Sequence, residues 1–357
     1  MNKFWSSVVK RTDPYVPGEQ MNDPNVIKLN TNENPYPPSP KAVEAIVQTA
    51  KGDMQKYPSP TADDLREAIA HVNGLEKENV FVGNGSDEVL AFAFYAFFEE
   101  GRTLKFPEVT YSFYPVYSKL FNIPFEAVPM NDDFTIDEEQ FYDADAGVIF
   151  PNPNAPTSIY MPLDGVERIL NNNPDRVVIV DEAYVDFADG PSAATLIDKY
   201  PNLLVVQTTS KSRALAGLRV GLALGQPHLI EALIRMKDSF NSYTLDQLAL
   251  NGATAAFRDV DYFEEKRQLV IETREWAVEE LTKRGFTTLP SGANFVFTTN
   301  PNIDAEALYN RLRDRKVLIR YFSDPNISEY VRITIGTREQ MEAFFRHLDD
   351  LLQLKND

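Results

Sequence analysis

Short apolar runs that end in polar residues recur along the middle of this chain, and they constrain its fold more than any other feature. Val148-Ile149-Phe150, Val177-Val178-Ile179-Val180 and Leu203-Leu204-Val205-Val206 contain no polar side chain. Runs of this length that are apolar throughout are typical of strands covered on both faces. Helical segments separate the runs, and repeated strand–helix units predict a mostly parallel sheet flanked by helices. The sequence therefore predicts an α/β fold.

The pattern changes twice along the chain, which predicts three parts. Residues 1–40 are rich in proline and asparagine and are expected to form an extended arm on another surface. Residues 41–246 carry the alternating signals and are expected to form the large domain. Residues 247–357 are expected to form a smaller α+β domain. Its elements are a long amphipathic helix, three strands and a closing helix, predicted at 262–284, 295–298, 317–320, 330–335 and 338–354.

Charge and residue usage exclude several classes of function. The formal net charge of −18 argues against nucleic acid or an anionic membrane surface as a partner. The absence of cysteine excludes thiolate nucleophiles, and the three histidines lack the spacing of metal ligands. The chain starts without the apolar core of a signal peptide, and its longest apolar run, residues 89–98, is too short to span a bilayer. We expect a cytoplasmic protein without a metal centre.

Lys211 is the most informative single residue, because it follows one of the predicted strands within a cluster of hydroxyl side chains. Asp181 and Tyr184 follow the neighbouring apolar run in the same way. In open α/β sheets the ligand crevice lies outside the carboxyl ends of the strands. A lysine in that place is a candidate for Schiff-base formation, and a carboxylate there could keep a pyridine-ring nitrogen protonated. Tyr184 could donate to a phenolic oxygen of the same ring.

Two segments could bind a phosphate group. The turn Gly83–Glu88 follows a strand and opens a helix, and free N–H groups at a helix start attract anions. The same turn is also explained by Ser86 as a simple N-cap with acidic residues in the first helical turn. Thr208, Ser210 and Arg219 add hydroxyl donors and a fixed cation around Lys211. The grouping favours a phosphate-bearing ligand.

These residues resemble the motifs of fold type I pyridoxal-phosphate aminotransferases, and further segments resemble the histidinol-phosphate aminotransferases within that family. The resemblance implies a large domain with a mostly parallel sheet, a smaller C-terminal domain and an N-terminal arm. The matching segments follow one another in order: Pro14–Gly18, Asn32–Pro35, Tyr57–Pro58, Gly83–Glu88, Asp181–Tyr184, Ser210–Gly221, Ala293–Phe295 and Val331–Thr337.

The resemblance implies pyridoxal 5'-phosphate as the cofactor and assigns a role to each matching residue. Lys211 would form the Schiff base, Asp181 would pair with the pyridine nitrogen and Tyr184 with the phenolic oxygen. Tyr111 would stack on the ring face, and Tyr57 would reach the cofactor of a neighbouring subunit, which implies a homodimer with shared active sites. The cofactor phosphate would be held by Gly85, Ser86, Asp87, Thr208, Ser210 and Arg219.

The resemblance also implies a substrate. Tyr15, Arg320 and Arg332 would hold the phosphate of L-histidinol phosphate, Arg332 would also bind the glutamate carboxylate, and Asn34 would line the pocket. The implied reaction transfers the amino group to 2-oxoglutarate and yields imidazole acetol phosphate and L-glutamate, a step of histidine biosynthesis. An aromatic-amino-acid aminotransferase and a threonine-phosphate decarboxylase are alternatives with the same machinery, and a binding protein without cofactor is an alternative on the same fold.

Two positions depart from the family pattern. Ala155 stands where the family has an asparagine that bonds the phenolic oxygen of the ring, and Ser158 replaces a glycine. Because alanine has no side-chain donor, Asn152 or Asn154 is expected to replace it, or Tyr184 acts alone. Arg213 stands at a position that is often apolar in the family. It is expected to form a structural ion pair or to add a cation near the site.

Overall fold

A computed structural model of the protein describes residues 2–15, 18–21, 23–52 and 54–353. Val16 and Pro17 of the first matching segment, and Leu354 at the expected end of the closing helix, lie outside these ranges. The strands of the described chain are β1 (Ile27–Lys28), β2 (Val80–Asn84), β3 (Leu104–Pro107), β4 (Phe125–Val128), β5 (Gly147–Pro151), β6 (Val178–Asp181), β7 (Leu203–Thr208), β8 (Val220–Gly225), β9 (Thr287–Thr288), β10 (Phe295–Thr299), β11 (Val317–Leu318), β12 (Arg320–Tyr321) and β13 (Val331–Thr334).

Helices alternate with these strands through most of the chain. They are α1 (Ser7–Arg11), α2 (Pro40–Ala50), α3 (Asp63–Asn73), α4 (Gly85–Phe97), α5 (Phe113–Phe121), α6 (Leu163–Asn171), α7 (Pro227–Phe240), α8 (Gln247–Arg258), α9 (Val260–Lys283), α10 (Ala305–Asp314) and α11 (Arg338–Gln353). No helix within the described ranges combines the length and the apolar character that crossing a membrane requires.

Seven strands form the central sheet in the order β2-β8-β7-β6-β5-β3-β4. Neighbours from β7 to β4 pair in parallel, whereas β8 runs antiparallel to both β7 and β2. The mostly parallel sheet expected from the sequence is therefore confirmed, with one reversed strand. The apolar strand β8 carries no sequence signal of its direction, because a buried antiparallel strand looks like a buried parallel one.

Alternate residues of the central strands enter two separate cores, which explains why the strands are apolar throughout. Val178 and Val180 of β6 pack under α2, α3, α6 and α8, whereas Ile179 packs on the other face against α4, α5 and α7. The same alternation holds in β7, where Leu203 and Val205 face one core and Leu204 faces the other. Each strand thus buries both faces, and its polar residues are confined to its ends.

The C-terminal part forms a second sheet of four antiparallel strands in the order β12-β13-β10-β9, with α9, α10 and α11 packed around it. The single strand predicted at 317–320 is in fact two short strands in different sheets. Val317–Leu318 pairs in parallel with Ile27–Lys28 of the N-terminal arm, whereas Arg320–Tyr321 pairs with β13. The arm strand β1 thus pairs with β11, while β12 pairs within the C-terminal sheet. Local sequence could not reveal a pairing with so distant a segment.

Helix α8 packs on the large sheet although it lies after residue 246. Its residues Ala249, Leu250 and Ala253 belong to the same core as the strands of the central sheet, and it packs extensively on α2 and α3. The division into an arm and two domains stays a prediction. The packing of α8 favours a boundary near Asp259, between α8 and α9, over the boundary expected at residue 246.

Candidate active site

Lys211 lies where two adjoining cavities meet, just beyond the carboxyl end of β7. Its Nζ atom lies 3.3 Å from the backbone oxygen of Thr31 in the arm and 5.8 Å from the ring centre of Tyr184. We call the larger space, about 590 Å³, the outer cavity, and the smaller one, about 210 Å³, the inner cavity. Both are bordered by Thr31, Tyr111, Ala155, Tyr184 and Lys211. A ligand spanning both cavities passes the lysine amine.

Asp181, the last residue of β6, borders the inner cavity and is almost fully buried. Its Oδ2 atom accepts a hydrogen bond from the Tyr114 hydroxyl at 2.9 Å, and Oδ1 accepts one from the Ala183 N–H at 3.3 Å. No lysine or arginine of the described residues pairs with it, and burial raises the pKa of its carboxyl to about 6. A buried carboxylate without a cation fits a ligand that brings its own positive N–H, such as a protonated pyridine ring.

Tyr114 was not singled out from the sequence, yet it fixes the orientation of Asp181. It lies in the first turn of α5, is fully buried and donates directly to the carboxylate. The available signal was its closeness in sequence to Tyr111, which precedes α5, and the two ring centres lie 5.8 Å apart. That closeness in sequence says nothing about which strand end the hydroxyl would meet.

The first turn of α4 forms a cradle of backbone N–H groups beside the inner cavity. Gly221 of β8 lies so close that a Cβ atom there would stand 2.2 Å from the backbone nitrogen of Ser86. Arg219 adopts a left-handed conformation with φ of 55° and directs its guanidinium to Asp87 at 3.1 Å. The Thr208 hydroxyl donates to Ser210 at 3.0 Å. A helix start, two hydroxyls and an arginine fit a phosphate group.

Tyr111 is held against the same cradle. Its hydroxyl donates to Asp87 Oδ1 at 2.9 Å, and its ring borders both cavities. Burial and the nearby carboxylate of Asp87 raise the pKa of Tyr111 well above its ordinary value, so the phenol remains a neutral donor. The ring is therefore fixed in a position where it can stack on a flat ligand.

Asn32, and not Asn34 as expected from the sequence, lines the outer cavity. Asn32 borders the outer cavity, and its Nδ2 donates to the Tyr184 hydroxyl at 2.9 Å. Asn34 instead donates to the backbone oxygens of Lys211 at 2.9 Å and Ser212 at 3.1 Å. Asn34 thus clamps the lysine loop rather than lining the pocket. The φ of 56° at Asn32 suits asparagine, but a sequence does not show which of two nearby asparagines adopts it.

The missing family asparagine is not replaced by its neighbours. Ala155 borders both cavities. The Asn152 side chain donates to the backbone oxygen of Met161 and accepts from its N–H. Asn154 donates to Val109 at 3.0 Å and to the Thr157 hydroxyl at 2.9 Å. The cofactor contact predicted for Asn154 therefore finds no support in this geometry. Tyr184, which accepts from Asn32 and keeps its own proton free, is the remaining donor.

Two arginines from the C-terminal sheet face the outer cavity together with Tyr15. Arg320 and Arg332 are direct partners across β12 and β13. Arg332 donates to the backbone oxygen of Asn30 at 3.0 Å, and its buried Nε atom has no partner. Within the described chain neither arginine forms an ion pair with a carboxylate, and desolvation lowers the pKa of Arg332. Two adjacent guanidinium groups without counter-ions form an anion site.

Tyr57 and Arg213 lie outside both cavities. The Tyr57 ring is 80% exposed and stacks on Tyr243 at 4.7 Å. Arg213 is buried between the rings of Phe257 at 3.9 Å and Phe263 at 4.2 Å. The ion pair expected for Arg213 is not formed among the described residues; cation–π contacts and a hydrogen bond to a backbone oxygen replace it. Burial lowers the pKa of this guanidinium to about 10.

Comparison with known proteins agrees with this geometry. The sequence pattern that defines the family "Aminotransferase class I and II" matches residues 24–348. This match covers most of the chain, including every strand of the central sheet and both arginines of the outer cavity. The chain therefore belongs to the class I and II aminotransferase family, and its fold is that of the fold type I enzymes.

The similar proteins narrow this class further. A histidinol-phosphate aminotransferase of Oceanobacillus iheyensis is 54% identical over 353 residues, which is 99% of both chains. One from Pseudomonas syringae pv. syringae is 53% identical over 98% of this chain and 100% of its own. Among solved structures, histidinol-phosphate aminotransferase from Sinorhizobium meliloti in complex with pyridoxal-5'-phosphate has a TM-score of 0.83 at 26% identity. It covers 91% of this chain and 90% of its own.

Proposed function

We propose that this protein is a pyridoxal-phosphate-dependent transaminase that transfers the amino group of L-histidinol phosphate to 2-oxoglutarate. The products are imidazole acetol phosphate and L-glutamate, as in histidine biosynthesis. The observation that carries the proposal is the meeting of two cavities at Lys211. One contains a buried carboxylate and a phosphate cradle, and the other contains two arginines without counter-ions. Relatives that match the chain from end to end bear the name of this activity.

The inner cavity has the donors and acceptors that pyridoxal phosphate requires. When bound, the cofactor supplies an aldehyde that takes up the amino group and a ring that accepts the electron pair released at the substrate Cα. Asp181 accepts the ring N–H and keeps that nitrogen protonated. The N-terminal turn of α4, the hydroxyls of Thr208 and Ser210, and Arg219 bind the phosphate. Tyr184 donates to the phenolic oxygen, and Tyr111 stacks on the ring.

Lys211 is proposed to hold and move the protons of the reaction. Its amine would hold the cofactor between turnovers. During the reaction the free amine would accept the proton from the substrate Cα and return it to the carbon that carried the aldehyde of the cofactor. The Asn34 contacts to Lys211 and Ser212 hold the lysine loop, so the amine reaches both positions from a fixed backbone.

The outer cavity favours a phosphorylated substrate over a free aromatic amino acid. Two guanidinium groups and the Tyr15 hydroxyl match the charge and the three oxygens of a phosphate, whereas a carboxylate needs only one bidentate arginine. Arg332, which lies deeper, is proposed to bind the carboxylate of glutamate in the second half of the reaction. The aromatic alternative receives no specific support from these residues. Threonine-phosphate decarboxylase shares a phosphorylated substrate with the proposed enzyme, and the names of the full-length relatives favour the transaminase over it.

We further propose that the active enzyme is a homodimer in which Tyr57 serves the neighbouring active site. Tyr57 and Tyr243 form an exposed aromatic pair, and Phe240 nearby in sequence is 81% exposed. Exposed aromatic side chains in one region are typical of an interface. The cytoplasmic location expected from the sequence stays a prediction.

The decisive experiment combines absorbance and turnover. The purified protein with added pyridoxal phosphate should show the visible absorbance of the lysine-bound cofactor and should produce glutamate from L-histidinol phosphate and 2-oxoglutarate. Lys211→Ala should lose both signals, whereas Lys199→Ala, which removes an exposed lysine paired with Glu167, should keep them. Equal or faster reaction with phenylalanine than with L-histidinol phosphate would overturn the proposed substrate.

A further inference from the structure

The outer cavity also has a carboxylate that the proposed mechanism does not use. Glu108 directly follows β3, and its side chain borders the same cavity as Lys211, Arg320 and Arg332. In the central sheet β3 is the third neighbour from β7. At about 4.8 Å per strand spacing, roughly 14 Å separate the two strands. Lys211 and Glu108 therefore border the outer cavity from strand ends that lie well apart.

Glu108 is oriented, but its charge is not neutralised. Its Oε1 atom accepts a hydrogen bond from the Met130 N–H at 3.2 Å. Its Oε2 atom meets only the Asn326 amide, at a long 3.5 Å. Within the described chain no lysine, arginine or histidine forms an ion pair with it. One carboxylate oxygen is therefore held by the backbone, and the other is available to a stronger donor.

A hydroxyl in the same stretch of wall has no hydrogen-bond partner in the described chain. The Thr110 hydroxyl, two residues after Glu108, is buried and forms no hydrogen bond in the described chain, and Thr110 borders the outer cavity. A buried hydroxyl without a partner is unfavourable, so a ligand that offers an acceptor here would be stabilised. Residues 108–110 thus offer an acceptor and an unused donor side by side.

We propose that Glu108 is a specificity-determining residue that accepts a hydrogen bond from the imidazole N–H of the substrate. This inference rests on the proposed function. The substrate phosphate matches the arginines and its amine must reach Lys211, so the imidazole ring is the polar group still without a partner. Imidazole offers an N–H donor and a ring nitrogen acceptor, or two donors when protonated, whereas a phenyl ring offers neither. Glu108 is exposed, so a phenyl ring beside it would neither gain a hydrogen bond from the carboxylate nor bury it.

The test compares substrates in one set of variants. Glu108→Gln keeps the side-chain shape and an oxygen for the Met130 N–H but removes the charge. Glu329→Gln removes a charge from the exposed neighbouring loop outside the cavity lining and is the matched control. We expect Glu108→Gln to lower kcat/KM for L-histidinol phosphate about tenfold, as for the loss of one hydrogen bond to a charged group, and to leave kcat/KM for phenylalanine within about twofold. Glu329→Gln should change neither.

A binding measurement separates recognition from chemistry. In the Lys211→Ala background, titration calorimetry with L-histidinol phosphate should show a similar weakening when Glu108→Gln is added, and inorganic phosphate should bind both proteins equally. Equal losses on both substrates, or no loss on L-histidinol phosphate, would overturn the role of Glu108. If Asp324→Asn shows this selective loss and Glu108→Gln does not, the imidazole N–H binds Asp324, the other carboxylate residue that borders the outer cavity. A wild-type enzyme inactive on L-histidinol phosphate would refute the proposed function itself, before any variant is compared.

Discussion

At the scale of single residues, the site depends on a carboxylate that is costly to bury. Asp181 has no cationic partner in the described chain, and its orientation comes from Tyr114 and the Ala183 N–H. Burial therefore favours the protonated acid, whereas cofactor binding requires the charged form. The two hydrogen bonds offset part of that conflict, since both favour the charged form.

Replacing Tyr114 should shift the pH at which the cofactor binds. Cofactor affinity should fall as the pH drops through about 6, the pKa of Asp181, because the protonated acid cannot take the ring N–H. Tyr114→Phe removes a donor to the charged form, so this midpoint should rise by about half to one pH unit. Titration of pyridoxal phosphate followed by absorbance measures the shift. Tyr117→Phe, whose hydroxyl donates to the Asp87 backbone, should leave the midpoint in place; a shared shift would point to general loosening.

The same conflict predicts a gain in stability when the charge is removed. The pKa of Asp181 in the folded chain, about 6, exceeds its ordinary value of 3.8, so the folded state binds this proton more tightly than the unfolded state. Its contribution to stability is therefore complete below pH 4 and is lost as the pH rises through about 6. Asp181→Asn should stabilise the cofactor-free protein at pH 8 by up to about 3 kcal/mol, with little effect at pH 4. Urea unfolding at both pH values measures this, and a variant less stable than wild type at pH 8 would contradict the account.

At the scale of elements, the cradle at the start of α4 depends on its close contact with β8. The reversed strand brings Gly221 against Gly85 and Ser86, where a Cβ atom would meet backbone atoms at 2.2 to 2.6 Å. Backbone cannot rotate away as a flexible side chain can. The position of the helix start is therefore set by the absence of a side chain on the neighbouring strand.

Gly221→Ala should displace this helix start and weaken cofactor binding. We expect at least a tenfold rise in the dissociation constant of pyridoxal phosphate, together with a stability loss of about 1–3 kcal/mol from overpacking. Fluorescence titration and thermal unfolding measure the two effects. Gly217→Ala is the matched control, because a Cβ atom at Gly217 would meet nothing within 4 Å. Unchanged cofactor affinity in Gly221→Ala would show that the cradle does not hold the phosphate.

The strands also differ in how well their positions can be predicted from the sequence. Strands β5, β6 and β7 were predicted because burial of both faces requires an unbroken apolar run. The edge strand β4 was not predicted: its first three residues, Phe125, Glu126 and Ala127, are exposed, so they carry no such pattern. The sequence predicts β11 and β12 as a single strand. They differ only in their partners, and the arm strand β1, which pairs with β11, lies about 290 residues earlier in the chain.

At the scale of the whole molecule, the outer cavity is assembled from three distant parts of the chain. The arm contributes Tyr15 and Asn32, the large sheet contributes Lys211, and the C-terminal sheet contributes Arg320 and Arg332. The arm is fixed to the C-terminal part by the pairing of β1 with β11 and by the Glu19–Arg313 ion pair. Any shift between these parts changes the distance between the lysine and the arginines.

Mixed dimers test whether Tyr57 serves the neighbouring subunit. Lys211→Ala and Tyr57→Ala subunits with different tags can be produced together, and the mixed dimer isolated. If Tyr57 acts across the interface, the mixed dimer has one complete site and should show about half the wild-type activity, with wild-type cofactor affinity at that site. The Tyr57→Ala dimer should bind the cofactor more weakly. A mixed dimer no more active than the Tyr57→Ala subunit alone would place Tyr57 in its own site, and a monomer in sedimentation would exclude a shared site.

The sequence by itself determined the large sheet and the residues at its strand ends. Buried parallel strands must be apolar and ligands gather at their carboxyl ends, so Lys211 and Asp181 could be recognised from local pattern. Only the tertiary structure decided which side chains meet there. It put Asn32 rather than Asn34 in the outer cavity, brought Tyr114 to Asp181, set β8 against the cradle and placed Glu108 at the outer cavity. Local pattern reports the burial of a segment, whereas these contacts join residues far apart in the chain, and only packing fixes their distances.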